Sequence, residues 1–208
     1  MAFLIIANAW LKLYIEQKSQ ECSSLSNDNR SKYNQLCMSL TGPGGTRKTY
    51  VIGGLTKLMI SYNSKHRIQY LAPTGGAAKL IGGMTLHKGL GIAIKQKNKG
   101  KGSHKPGEIS EDYTVLVNLN KIRQLHDEWK FVDVLFLDEV GAVGAQLLSE
   151  LDHALRITKE EPNIWFDGMI VIFAGDCHQH SPVSETPLYQ PISNTENQSN
   201  TEISKQLG

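Results

Sequence analysis

The segment Gly42-Pro-Gly-Gly-Thr-Arg-Lys-Thr49 follows the phosphate-loop pattern G-x-x-x-x-G-K-[S/T] at every defined position but one. In loops of this kind successive backbone N–H groups turn inward at a helix N-terminus and bind phosphate oxygens. Gly42, Pro43, Gly44, Gly45 and Thr46 form the expected cradle. The Lys48 ammonium is expected to reach the β- and γ-phosphates of ATP, and the Thr49 hydroxyl to bind Mg²⁺. The exception is Arg47, at the position of the last glycine. Glycine there lets the backbone approach the phosphates through angles that a Cβ disfavours, at a cost of about 1–2 kcal/mol for an L-residue at positive φ. Arg47 is therefore expected to weaken nucleotide binding.

Two further groups could complete a phosphoryl-transfer site. Asp138 and Glu139 close an apolar run, where Asp138 would hold Mg²⁺ and Glu139 would orient and deprotonate the attacking water. Acidic pairs also cap helices, so the pair gains its meaning from the phosphate loop upstream. Gln179, in AGDCHQ, is a candidate sensor of the γ-phosphate or the attacking water. Cys177, His178 and His180 raise the competing possibility of a metal site, but no fourth ligand stands at a familiar spacing.

These residues need elements to position them. Short apolar runs at 36–40, 67–72, 132–137 and 169–174 read as strands. Segments 50–62 and 146–156 read as helices, with a shorter helical stretch at AAKLI. Strands that are apolar almost throughout, alternating with helices, predict an α/β fold: a mainly parallel sheet flanked by helices. At the start of the chain, Phe3, Ile6, Trp10, Leu13 and Tyr14 recur at helical spacing, and with no positive n-region the segment reads as a packed amphipathic helix rather than a signal peptide. Polar residues at about 16–34 read as an insertion, 95–105 with five lysines as an exposed loop, and 191–208 as a disordered tail, leaving a domain over 1–190.

Composition narrows the classes. The 208 residues carry 22 Lys+Arg against 20 Asp+Glu, a net charge of +2, which excludes a polycation or an acidic tail. No apolar run approaches the roughly 18 residues that span a bilayer. The three cysteines, Cys22, Cys37 and Cys177, suit a reduced intracellular compartment better than a disulfide scaffold.

Four strings in order, TGPGGTRKTYVI, LAPTGGAAKLIGGMTLHKGLGI, LFLDEVGAVGAQLLSELDHALR and IVIFAGDCHQHSPV with PLY beyond it, resemble the first RecA-like domain of Pif-type helicases, most nearly the subset carried by Helitron transposons. The resemblance covers nearly the whole chain. It implies a RecA-like fold and an ATP-dependent DNA helicase moving 5′ to 3′ on single-stranded DNA in repair, recombination and telomere maintenance, in the nucleus or mitochondrion. It also implies that Pro73, Thr74 and Gly75 form one DNA-contacting motif and Thr85 and His87 a second. Taken alone, Thr74 reads as a helix cap and His87 as a packed or surface histidine. The resemblance further implies a second RecA-like domain, bearing an arginine finger and half of the DNA track, which this chain is expected to lack along with the upstream adenine-sensing glutamine motif.

Departures from the family pattern fall inside the motifs. The family usually has glycine in place of Arg47, a larger apolar residue for Gly76, serine for Gly141, phenylalanine for Cys177, leucine for His180 and proline for Ser181. They keep open a second reading, a catalytically inactive remnant with weak DNA binding. A third, a nucleotide-binding switch or small-molecule kinase, has no use for the PTGGAAK, TLH and GDCHQ elements.

Overall fold

A computed structural model describes residues 1–22, 35–46, 48–91, 119–159, 164–177, 179–182 and 186–188 of the chain. The phosphate-loop residue Arg47, His178, the lysine-rich loop at 95–105 and the tail at 191–208 lie outside them.

Among the described residues five strands form one sheet in the order β1-β5-β4-β2-β3, and every ladder within it is parallel. They are β1 (Cys37–Thr41), β2 (Ile68–Ala72), β3 (Met84–Thr85), β4 (Val134–Leu137) and β5 (Ile170–Gly175). β4 is buried at all four positions because each pleat direction meets its own core. Val134 and Phe136 join Ile170, Ile172 and Ala174 under α1 (Ala2–Cys22) and α2 (Lys48–Ser61), with Ile6, Trp10, Ile52, Leu55 and Met59. Leu135 and Leu137 join Leu71 and Val171 against α5 (Leu119–Trp129) and α6 (Ala145–Lys159), with Trp129, Leu147, Leu151 and Leu155. Two short helices, α3 (Gly75–Leu80) and α4 (Leu86–Gly89), follow β2 and β3.

The expected α/β architecture is thus present, with two corrections. The polar stretch read as an insertion from residue 16 begins as helix: α1 continues to Cys22. Gln17 reaches back to the Asp133 carboxylate at 3.3 Å, and Arg67 donates to Gln17 while pairing with Asp133 at 2.6 Å. Polar but helix-favouring residues continue a helix when such a tertiary anchor holds them. The second correction is the edge of the sheet. Strand β3 is two residues long, too short to show a period, and α5 has its buried face set by Leu125 and Trp129, whose indole N–H donates to Gly89 O at 2.9 Å.

Tyr70 ties the phosphate-loop helix to β2 through a 2.5 Å bond between its phenol and the Thr56 hydroxyl. Burial pushes the Tyr70 phenol above its usual range, and the bond to Thr56 opposes that shift. Among the described residues no helix is long and apolar enough to cross a membrane.

Candidate nucleotide and nucleic-acid site

Because all five strands are parallel, all five C-terminal ends lie along one edge, and the segments singled out in the sequence leave from that edge. The glycine loop follows β1, Pro73-Thr74-Gly75 follows β2, Thr85 ends β3, Asp138-Glu139 follows β4 and the 176–180 turn follows β5. In open α/β sheets the crevice outside these carboxyl ends is where ligands bind.

The glycine loop is held by its own atoms. Gly42 N–H donates to Gly175 O at 3.2 Å, fixing the start of the loop on the end of β5. Lys48 is the first residue of α2, and its ammonium donates to Gly42 O at 2.6 Å and Pro43 O at 3.1 Å. It therefore lies across the mouth of the loop. Thr46 Oγ1 donates to Pro43 O at 2.9 Å, closing the turn from the other side. Thr49, one residue into α2, is exposed.

Gln179 comes to the same loop from β5. A Cβ built on Gly44 would stand 3.2 Å from Gln179 Nε2, so the amide lies over the glycine backbone. Asp138 and Glu139 are half-buried at the end of β4, with Asp138 N–H bonded to Leu71 O at 2.9 Å. Glu139 sits in the left-handed region at φ 52°, uncommon for a residue with a Cβ. Such strain persists only where the surroundings over-determine it. Here the Glu139 carbonyl accepts from Ala142 N–H at 3.0 Å, and the end of β5 packs so closely that a Cβ on Gly175 would meet Val140 N at 2.8 Å and Glu139 Cα at 3.2 Å.

Gly141 is a residue whose importance sequence reasoning passed over. A Cβ there would stand 2.4 Å from Asp176 O and 3.1 Å from His180 O, so its bare backbone lets the turn after β5 close onto the turn after β4. The available signal was its departure from the family's serine.

Thr74 and Thr85 both cap helices, as the local reading of Thr74 expected. The Thr74 hydroxyl accepts from Ala77 N–H at 3.2 Å at the start of α3, and the Thr85 hydroxyl accepts from Lys88 N–H at 3.3 Å at the start of α4. Thr74 makes a second contact that no local pattern signals: its hydroxyl donates to Glu139 Oε2 at 3.3 Å. Pro73 is half-buried and Gly75 exposed, and His87 lines a groove beside β3 with Lys65, His66, Gln69 and Lys88. The structure places Lys48 and Gln179 at the glycine loop, Asp138 and Glu139 at the end of β4 with Glu139 bonded to Thr74, and Thr85 at the end of β3, while His87 lines its groove with residues before and at the start of β2.

The two side chains expected to hold a cation, the Thr49 hydroxyl and the Asp138 carboxylate, offer oxygen donors only, a chemistry that suits a hard cation such as Mg²⁺. The competing metal site at Cys177, His178 and His180 includes His178, which lies outside the described residues; among the described residues no group of three or more metal-capable side chains occurs.

A parallel sheet with a glycine loop after its edge strand and an acidic pair one strand beyond its neighbour defines a phosphate-loop domain of RecA type. Residues 16–201 match the family model described as PIF1-like helicase, and the chain belongs to that family. It is 32% identical over 149 residues to the ATP-dependent DNA helicase RRM3 of Saccharomyces cerevisiae, covering 70% of this chain and 18% of that protein. It is 30% identical over 147 residues to the ATP-dependent DNA helicase Pif1 of Bdellovibrio bacteriovorus, covering 71% and 29%. Among solved structures it is similar to the Pif1 helicase of Candida albicans, with a TM-score of 0.53, 26% identity and coverage of 71% and 30%. It is also similar to Bacteroides Pif1 in complex with ADP-AlF4, with a TM-score of 0.50, 26% identity and coverage of 85% and 34%. The chain therefore spans less than a third of the length of these curated relatives.

Proposed function

We propose that the chain is the first RecA-like domain of an ATP-dependent DNA helicase that moves 5′ to 3′ along single-stranded DNA. The observation that carries this is the convergence of the glycine loop, the acidic pair, Gln179 and the Pro73-Thr74-Gly75 turn on one sheet edge. The naming of relatives as DNA helicases and the Bacteroides complex with ADP-AlF4 support it.

On this reading the loop N–H groups at 42–49 and the Lys48 ammonium bind the ATP phosphates. Thr49 and Asp138 hold Mg²⁺, which supplies charge neutralisation at the phosphates when bound. Glu139 takes a proton from the water whose oxygen attacks the γ-phosphorus as the bond to the ADP oxygen breaks, and Gln179 orients that water. Pro73, Thr74, Gly75, Thr85 and His87 contact single-stranded DNA. Full turnover then requires a second RecA-like domain to supply the arginine finger, a contribution of about 10³–10⁵ in rate where it has been measured. The setting is an intracellular, DNA-bearing compartment, the nucleus or mitochondrion, and the processes are repair, recombination and telomere maintenance.

Arg47 favours the second reading, a remnant that binds DNA weakly and hydrolyses nothing. Titration of a non-hydrolysable Mg-ATP analogue onto the chain and its Arg47→Gly variant separates the two. Micromolar binding by both supports a working nucleotide site. Binding by the glycine variant alone makes the natural chain an inactive remnant, and binding by neither overturns the nucleotide site altogether.

A further inference from the structure

The contact between Thr74 and Glu139 joins the loop after β2 to the catalytic candidate after β4 across 65 positions of sequence. It rests on one hydroxyl group, whose capacity is fixed: a single O–H to donate and lone pairs to accept. Both functions are in use. The oxygen accepts the Ala77 N–H at the start of α3, and the proton is given to Glu139 Oε2. A DNA phosphate, like a carboxylate, can only accept. Thr74 cannot donate its one proton to both.

The backbone around the pair leaves little other freedom. Glu139 lies in the left-handed region with its carbonyl accepting from Ala142 N–H at 3.0 Å and with Gly175 close against its Cα, so its carboxylate starts from a defined root. Thr74 is fixed by capping α3, whose Ala77 and Ala78 pack on Ala72 at the end of β2. The element free to change is the hydroxyl proton and the carboxylate it restrains.

We propose that Thr74 is a positioning residue for Glu139 and works as a single-proton switch. Without DNA its hydroxyl holds the Glu139 carboxylate on the DNA-facing loop. When a DNA phosphate takes that proton, the carboxylate is released toward the attacking water. The switch rests on the reading of Thr74 as a DNA contact given above, and it makes release of the catalytic base a consequence of engaging the strand.

The test is carboxyl NMR on the full chain labelled with ¹³C at the glutamate side-chain carboxyl, the Glu139 signal being assigned by its loss in Glu139→Gln. In DNA-free protein the Glu139 resonance should shift in Thr74→Val and stay in place in Thr74→Ser, which keeps the hydroxyl. Saturating the unmodified chain with oligothymidylate should move the resonance to its position in DNA-free Thr74→Val, and should leave it unmoved in Thr74→Val. A Glu139 resonance identical in the unmodified chain and a folded Thr74→Val overturns the pairing. Oligothymidylate that binds without moving the resonance of the unmodified chain overturns the switch, a result that needs no variant to fold. Failure of oligothymidylate to bind at all overturns both the DNA reading and the switch, and the DNA-free comparison then still decides whether Thr74 positions Glu139.

Discussion

At the scale of single residues, departures from the family pattern have unequal physical weight. Gly141 and Gly76 were both read as departures from the family pattern, but a Cβ at Gly141 would stand 2.4 Å from Asp176 O, whereas one at Gly76 meets nothing within 4 Å. Gly141→Ser should therefore destabilise the chain by about 1–3 kcal/mol through overpacking, seen as a lower midpoint in denaturant unfolding. Gly76→Ala, inside α3, should be neutral or stabilising by up to about 1 kcal/mol. A Gly141→Ser variant as stable as the parent would mean that the turns after β4 and β5 are not in contact. Arg47 weighs on the same scale, since it bears on whether the phosphates can be approached at all.

At the scale of elements, the nucleotide loop depends on a helix far from it in sequence. α2 packs beside α1 on one face of the sheet, and α1 is held by Trp10, fully buried with its ring 5.2 Å from Tyr14 and 5.6 Å from Tyr62. Tyr62 stands just beyond the end of α2, so the aromatic trio joins the two helices. Trp10→Ala should cost about 3–5 kcal/mol, measured by chemical denaturation. Through α2 it should also weaken binding of a Mg-ATP analogue. Loss of that stability with nucleotide affinity intact would show that the loop keeps its shape without α1.

At the scale of the whole molecule, the net charge of +2 gives little general attraction for nucleic acid, so the proposed binding of single strands would rest on local contacts. Affinity for oligothymidylate should then fall with salt with a shallow slope, the logarithm of the binding constant dropping by about 0.7 per phosphate contact for each tenfold rise in salt. Fluorescence anisotropy at several salt concentrations measures it. A slope corresponding to many contacts would show that basic residues beyond these local contacts take part, the lysines at 95–105 being the first to test. The parallel sheet also places the glycine loop and the Pro73-Thr74-Gly75 turn, proposed to face DNA, at the same ends of its strands, so one sheet carries both.

Much of this organisation was legible in the residues alone. Strand β4 announced itself because both of its faces are buried, leaving an unbroken apolar run, and the glycine loop because phosphate binding demands a particular order of residue types. Arg67–Asp133–Gln17, the last turns of α1 and the two-residue β3 did not, because each is stabilised by partners distant in sequence and carries no period of its own; α5 does carry helical spacing at Leu119, Ile122, Leu125 and Trp129 and was legible in principle. The order β1-β5-β4-β2-β3 likewise belongs to the tertiary structure, since apolar strands of similar length carry no label of their neighbours. So does the bond from Thr74 to Glu139. The sequence by itself determined which chemistry is available, since side-chain types and local spacing are properties of the chain. Which groups share a proton, and which glycine lets two turns meet, were decided only when folding brought distant backbone within contact.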